Sequence, residues 1–224
     1  MTHPDPFPRA FRAVIFDMDG VIVDSEPLHE QAFLETFHEL GYAETHGIRF
    51  QDYLGRSDRA VWDAFIEKHR PHQTREVLTD LKESRLIEVI RRREPLFPEI
   101  PALVPSLAAR YPLALASGSV HRVIATVLAL RGLRSHFGPV VSAEDVRAGK
   151  PAPDIFLRTA QLLGVSPADC CVIEDTTAGV EAARSAGMSV IAITNTYPAE
   201  ALHRADRVVR TYREIEQLLL PQAL

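Results

Sequence analysis

Cysteine is almost absent from this 224-residue chain, and its two copies, Cys170 and Cys171, are neighbours. Adjacent strand residues face opposite sides, so a bridge between them would be strained. A redox or metal role would need partners that the sequence does not offer. Two reduced core thiols are expected, as in a cytoplasmic protein. No apolar run approaches the length needed to cross a bilayer. The opening Met1-Thr2-His3-Pro4-Asp5-Pro6-Phe7-Pro8 lacks the basic start and apolar stretch of a secretory signal. Its prolines mark residues 1–10 as a flexible, non-helical lead-in. Basic excess is missing too: a formal charge of −5 offers no face to a polyanion. Neither nucleic acid nor membrane is therefore expected as a partner. What is present is ordinary for a globular protein, 46% hydrophobic and 25% charged residues. The length suits one good-sized domain, or a domain with a small insert.

Strand and helix patterns alternate along most of the chain. Short apolar runs at Ala13–Phe16, Leu113–Ala116, Val140–Ser142, Cys170–Ile173, Ser189–Ile193 and Arg207–Val209 predict strands. Between them lie apolar stripes of helical spacing. One holds Val120, Val123, Ile124, Val127 and Leu128; another Ile155, Phe156, Thr159, Leu162 and Leu163; a third Val180, Ala183 and Ala186, closed by Gly187. The strands lack polar alternation, as expected when both faces are covered. The fold class is therefore α/β, a doubly wound parallel (Rossmann-like) sheet. One interval, 26–98, shows helices and no convincing strand. Phe33, Phe37 and Leu40 mark a first helix, with Ser25 as its cap, Pro27 in its opening turn and Gly41 at its end. Val61, Trp62, Phe65 and Ile66 mark a second, and a third, less cleanly patterned, runs roughly from Arg75 to Arg93. This predicts a core of 11–25 and 99–224 with an all-helical cap, 26–98, inserted after the first strand. Such a block is expected over the carboxyl ends of the sheet, where open α/β sheets bind ligands.

The chemistry concentrates in four short strings. Asp17-Met18-Asp19-Gly20 follows the first strand, and residues two apart on a strand point the same way. Two converging carboxylates repel, and a divalent cation is the usual compensation. Ser117-Gly118-Ser119 follows the second strand, Gly149-Lys150-Pro151 sits in a turn, and Glu174-Asp175 ends a later strand. Phosphoryl transfer to a carboxylate needs each of these parts. Asp17 is the candidate nucleophile, and Asp19 the acid that protonates the leaving alcohol and then activates water. Ser117 and the Gly118 N–H can bind phosphoryl oxygens, helped by the following helix start. Lys150 screens the charge, and Glu174 and Asp175 can complete a metal shell.

The order and spacing of these strings resemble the haloacid dehalogenase superfamily of aspartate-nucleophile phosphotransferases. The likeness runs through Phe16-Asp17-Met18-Asp19-Gly20-Val21, Ala116-Ser117-Gly118-Ser119, Gly149-Lys150-Pro151-Ala152-Pro153-Asp154 and Ile173-Glu174-Asp175-Thr176-Thr177-Ala178-Gly179. It implies an aspartyl phosphate on Asp17 and acid/base work by Asp19. It also implies Mg2+ held by Asp17, the Asp19 carbonyl and Asp175, with Glu174 as a ligand or just outside. The helical insert resembles the cap of subfamily I, implying hinges near Asp24–Glu26 and Leu96–Pro98 and a cap that closes over substrate. The second aspartate argues against true dehalogenation, which has no phosphate leaving group to protonate.

Cap residues are harder to assign. His29 stands where β-phosphoglucomutases of the family keep a histidine, yet sugar phosphatases carry the same string, and a surface histidine reads equally well. Gly55-Arg56-Ser57-Asp58 resembles the cap loop that meets substrate, making Arg56 a candidate. The mutases place an arginine where Asp58 stands, a departure that counts against a second phosphate on the substrate, although a small shift of the loop would let Arg56 or Arg59 substitute. Lys82 is a candidate to reach the site, although a solvated helix lysine is the plainer reading. Arg91-Arg92-Arg93 reads as an exposed helix end. Pro98-Glu99 replaces the family's proline-glycine. The expectation is a cytoplasmic, monomeric Mg2+-dependent phosphatase for a small phosphorylated metabolite, a sugar or polyol phosphate. Its rivals are a β-phosphoglucomutase and a catalytically silent binding protein on the same scaffold.

Overall fold

The computed structural model describes residues 11–53 and 58–220. The proline-rich lead-in and Gly55-Arg56-Ser57 lie outside these residues. The described chain forms two compact units, one from Met1–Asp24 and Leu96–Leu224, the other from Ser25–Pro95.

The first unit is built on a fully parallel sheet of six strands: β1 (Ala13–Phe16), β2 (Leu113–Ala116), β3 (Phe137–Val141), β4 (Cys170–Glu174), β5 (Ser189–Ile193) and β6 (Arg207–Val209). Their spatial order is β3-β2-β1-β4-β5-β6. The chain thus winds outward one way from β1 and then the other way from β4, which puts a topological switch between those strands. Every residue of β1, β2 and β4 is buried. Val14, Ile15 and Phe16 are wholly inaccessible, and such burial contributes roughly 1.5–3 kcal/mol per side chain. The edge strand β3 begins three residues before the expected Val140. Gly138 and Pro139 hide its start in the sequence, yet Phe137 is buried, aligns with Leu113 and meets the Phe16 ring edge-on at 5.7 Å. An edge position tolerates the proline's missing donor.

Helices α5 (His121–Ala129), α6 (Asp154–Leu163) and α7 (Thr177–Ser185) occupy the three expected stripes. Gly187 follows α7 with φ +76°. Two further helices carry no matching expectation. α4 (Ile100–Ala108) contains Pro105, which masks its pattern, and α8 (Tyr212–Leu219) is short. The Thr211–Glu214 capping box that opens α8 was a readable signal. Both thiols are buried and unbridged; burial raises Cys170 to about 11 and Cys171 further.

The second unit contains α1 (Glu26–Glu39), α2 (Asp58–His69) and α3 (Arg75–Arg93). Its core is aromatic, with Phe37 and Phe65 centroids 4.7 Å apart and Phe33 and Trp62 5.0 Å apart. Ser25 stands before α1 with helical dihedrals, φ −93° and ψ −19°, and its side chain makes no capping bond. The expected cap therefore fails, because a capping oxygen reaches the first turn from an extended backbone. Thr74 does cap α3, accepting from Val77 N. The second unit ends at Pro95, three residues before the expected 98. Leu96 instead bridges Val23, and Phe97 N donates to Ile22 O at 3.1 Å. The chain therefore leaves the first unit and rejoins it at one place. No helix among the described residues is long and apolar enough to cross a membrane.

Candidate active site

The switch point places Asp17 and Glu174 side by side. Phe16 aligns with Ile173 in the β1–β4 register, and Asp17 N donates to Ile173 O at 3.0 Å. Asp17, Glu174 and Asp175 are all buried, and one oxygen from each lies within 4.8 Å of the others. Lys150 enters from the turn before α6. Its Nζ donates to Asp17 Oδ1 and to Glu174 Oε1, each at 2.6 Å. The Phe156 ring lies 5.1 Å from the same ammonium.

Glu174 uses both carboxylate oxygens. Oε2 accepts from Asp175 N (2.9 Å), Thr176 N (3.0 Å) and Thr176 Oγ1 (3.0 Å). Thr176 then caps α7 through Gly179 N. Asp175 is different. Its Oδ2 accepts from the Thr196 hydroxyl, while among the described residues its buried Oδ1 has no hydrogen-bond partner. An orphaned buried carboxylate oxygen is costly unless something else meets it.

The electrostatics agree. Burial raises Asp17 from 3.8 to about 7, opposed by Lys150 and reinforced by Glu174 and Asp19. Burial, then repulsion from Glu174 and Asp17, raises Asp175 to about 9. Burial alone would lower Lys150, yet the two carboxylates drive it above its ordinary range and keep it charged. Two proton-retaining carboxyls, one of them with an unpartnered oxygen, fit a hard divalent cation, which displaces protons as it binds. Asp17 and Asp175 have the oxygens to offer; those of Glu174 are already engaged.

Asp19 is held by the loop after β2. Ser119 Oγ donates to Asp19 Oδ2 at 2.8 Å, and Ser117 Oγ reaches the same oxygen at 3.3 Å. Gly118 is exposed between them, just before α5. Asp17, Lys150, Glu174 and Asp175 form one hydrogen-bonded group, and Asp19, Ser117 and Ser119 a second, at the carboxyl ends of β1, β2 and β4.

The second unit binds its own candidates together. Lys82 Nζ lies 2.6 Å from Asp58 Oδ2 and 2.7 Å from His29 Nδ1, with the Phe33 ring centroid 4.9 Å away. Its side chain is wholly buried, which corrects the reading of a solvated helix lysine. The sequence shows charge but not the pocket that α1, α2 and α3 make around it. His29 is only 26% exposed and lies 3.7 Å from Asp58 Oδ1, so it is no plain surface histidine. Arg56 falls outside the described residues. Arg91, Arg92 and Arg93 are exposed as expected, and Arg92 meets Glu35 at 3.2 Å.

Sequence reasoning missed Ser119, Asn195 and Thr196 as site neighbours. Ser119 lay inside a string already singled out. Asn195 and Thr196 follow β5 with no motif to mark them, and only their position in the sheet brings them to Asp175 and Gly20.

The family model for haloacid dehalogenase-like hydrolases matches residues 11–187, and the chain belongs to this family. It is an enzyme of the hydrolase class. Fructose-1-phosphate phosphatase YqaB of Escherichia coli (strain K12) is 36% identical over 190 residues, covering 81% of this chain and 95% of that protein. Hexitol phosphatase B of the same strain is 34% identical over 190 residues, covering 83% and 85%. Among solved structures, β-phosphoglucomutase of Clostridium difficile superposes with a TM-score of 0.74 at 26% identity, covering 93% of this chain and 96% of that one.

Proposed function

We propose that this chain is a Mg2+-dependent phosphatase that hydrolyses a small sugar or polyol phosphate through an aspartyl phosphate on Asp17. The carrying observation is the Lys150 ammonium set 2.6 Å from both Asp17 and Glu174, whose carboxylates cluster with that of Asp175. The phosphatase names of its relatives support the substrate class.

A bound Mg2+ would be held by Asp17, Asp175 and the Asp19 carbonyl, and would screen the phosphate's charge from the attacking carboxylate. The Asp17 carboxylate attacks phosphorus, forming an O–P bond as the P–O bond to the substrate alcohol breaks. Asp19 delivers its proton to the departing alkoxide. Ser119 and Ser117 keep that carboxyl oriented. Asp19 then takes a proton from water, whose oxygen attacks the aspartyl phosphate. Inorganic phosphate leaves, Asp17 regains its carboxylate and Asp19 its proton. Lys150 and the Gly118 N–H stabilise negative charge on the phosphoryl oxygens. Glu174 holds Lys150 and the turn before α7 in place.

The mutase alternative finds less support. The position where mutases keep a cation holds Asp58, whose carboxylate is engaged by Lys82 and His29. Phosphate release from a panel of sugar and polyol phosphates, with and without Mg2+, tests the proposal. Asp17→Asn should lower turnover by at least about 10³-fold. Full activity in that variant would sink the covalent mechanism. Conversion of β-glucose 1-phosphate to the 6-phosphate without release would favour the mutase.

A further inference from the structure

We infer that Thr196 is a positioning residue for Asp175, and that the turn Thr194–Tyr197 after β5 braces this carboxylate against the loop after β1. The inference rests on the proposed role of Asp175 as a metal ligand.

A terminal carboxylate turns about a broad torsion, so its two oxygens are interchangeable unless something distinguishes them. Here something does. The Thr196 hydroxyl donates to Oδ2, and Oδ1 has no hydrogen-bond partner among the described residues, in a carboxylate that clusters with those of Asp17 and Glu174. The same Oδ2 also leans on Gly20, whose φ of +75° favours glycine. A Cβ there would overlap Asp175 Oδ2 and come within 2.9 Å of Thr196 Oγ1. Asp175 Oδ2 thus meets both a residue with no side chain and a hydroxyl that distinguishes it from Oδ1.

The turn that carries Thr196 is itself fixed to the same loop. Thr194 N donates to Val209 O at 3.0 Å, tying the turn to β6. Asn195 Nδ2 donates to Gly20 O at 2.7 Å and to Tyr212 Oη at 2.9 Å. Tyr212 Oη donates onward to Val21 O at 2.7 Å. Two consecutive side chains of one turn therefore hold the Gly20–Val21 peptide and the carboxylate of Asp175. A hydroxyl that does not touch the ion but orients its ligand changes metal affinity, because the ligand otherwise samples unproductive rotamers.

The test is direct binding of Mn2+, followed by loss of the free-ion electron paramagnetic resonance signal, with no substrate present. Thr196→Val should weaken Mn2+ binding by about tenfold or more, whereas Thr196→Ser should stay within about twofold of wild type. At saturating Mg2+ the valine variant should recover turnover with an unchanged KM. Equal Mn2+ affinity in Thr196→Val and wild type would overturn the inference. Thr196→Ala asks the same question should the valine variant fail to fold. Asp175→Asn separates the two readings. If it binds Mn2+ as wild type does, the metal-ligand role falls and Thr196 falls with it. If it loses binding while Thr196→Val keeps it, only the positioning role is wrong.

Discussion

At the scale of single residues, Glu174 shows how one carboxylate links a lysine to a backbone turn. Oε1 faces Lys150, while Oε2 gathers two backbone N–H groups and a hydroxyl. That carboxylate lies under the first turn of α7, where Gly179 leaves room for it: a Cβ at Gly179 would overlap all three of its terminal atoms. A free glutamate could swing aside, but this one is held at both oxygens. Gly179→Ala should therefore push Glu174 off Lys150. Denaturant melts should show a loss of about 1–3 kcal/mol, of the kind overpacking produces. Phosphate release should fall by roughly tenfold or more. If stability and turnover both match wild type, Glu174 is not the support described. The glycine was visible in the sequence as part of a string, but its reason was not. That reason is the position of a side chain five residues earlier, set by the turn from β4 into α7.

At the scale of elements, His29 on α1, Asp58 on α2 and Lys82 on α3 tie the three helices at one buried point. Removing one partner of a buried pair strands the other, which commonly costs 3–5 kcal/mol. Asp58 is 35% exposed, so solvent takes up part of that loss, and Lys82→Met should cost about 2–4 kcal/mol in a thermal or denaturant melt. Burial alone would raise Asp58, but the His29 hydrogen bond and the Lys82 charge hold it well below the ordinary range. A carboxyl depressed on folding adds stability above its unfolded value of 3.8, and that stability drains away as pH falls below it. Wild type should thus lose more melting temperature between about pH 5 and pH 3 than Asp58→Asn does. Equal acid sensitivity would remove Asp58 from the account. The elements were legible where an apolar run or stripe was clean, as in β1, β2, β5 and α5. Proline hid the start of β3 and the whole of α4. The burial of Lys82 could not be read at all, since a lysine in a charged helix looks the same whether or not two other helices close around it.

For the whole molecule, the raised carboxyls of the candidate site make stability depend on pH and metal together. Asp17 at about 7 and Asp175 at about 9 keep their protons in the folded chain after the unfolded chain has lost them. Their contribution is full below an ordinary 3.8 and lost as pH climbs through those two values. Without divalent cation the protein should therefore soften from mildly acidic to alkaline pH. Mg2+ replaces the protons and should restore it, by about 2.7 kcal/mol at a hundred times its dissociation constant. The Mg2+-induced rise in melting temperature should be larger at about pH 8.5 than at about pH 5.5, because binding releases protons. A rise independent of pH would place the cation elsewhere. The Val23–Leu96 bridge has a different kind of consequence. Both ends of the helical block are stitched to each other within the first unit, so to the sheet the whole block is one loop. Loop closure costs only about 0.6 kcal/mol more for each doubling of length. Over evolutionary time such a graft point lets a lineage trade, enlarge or trim its helical block while the six strands and their reactive ends stay as they were.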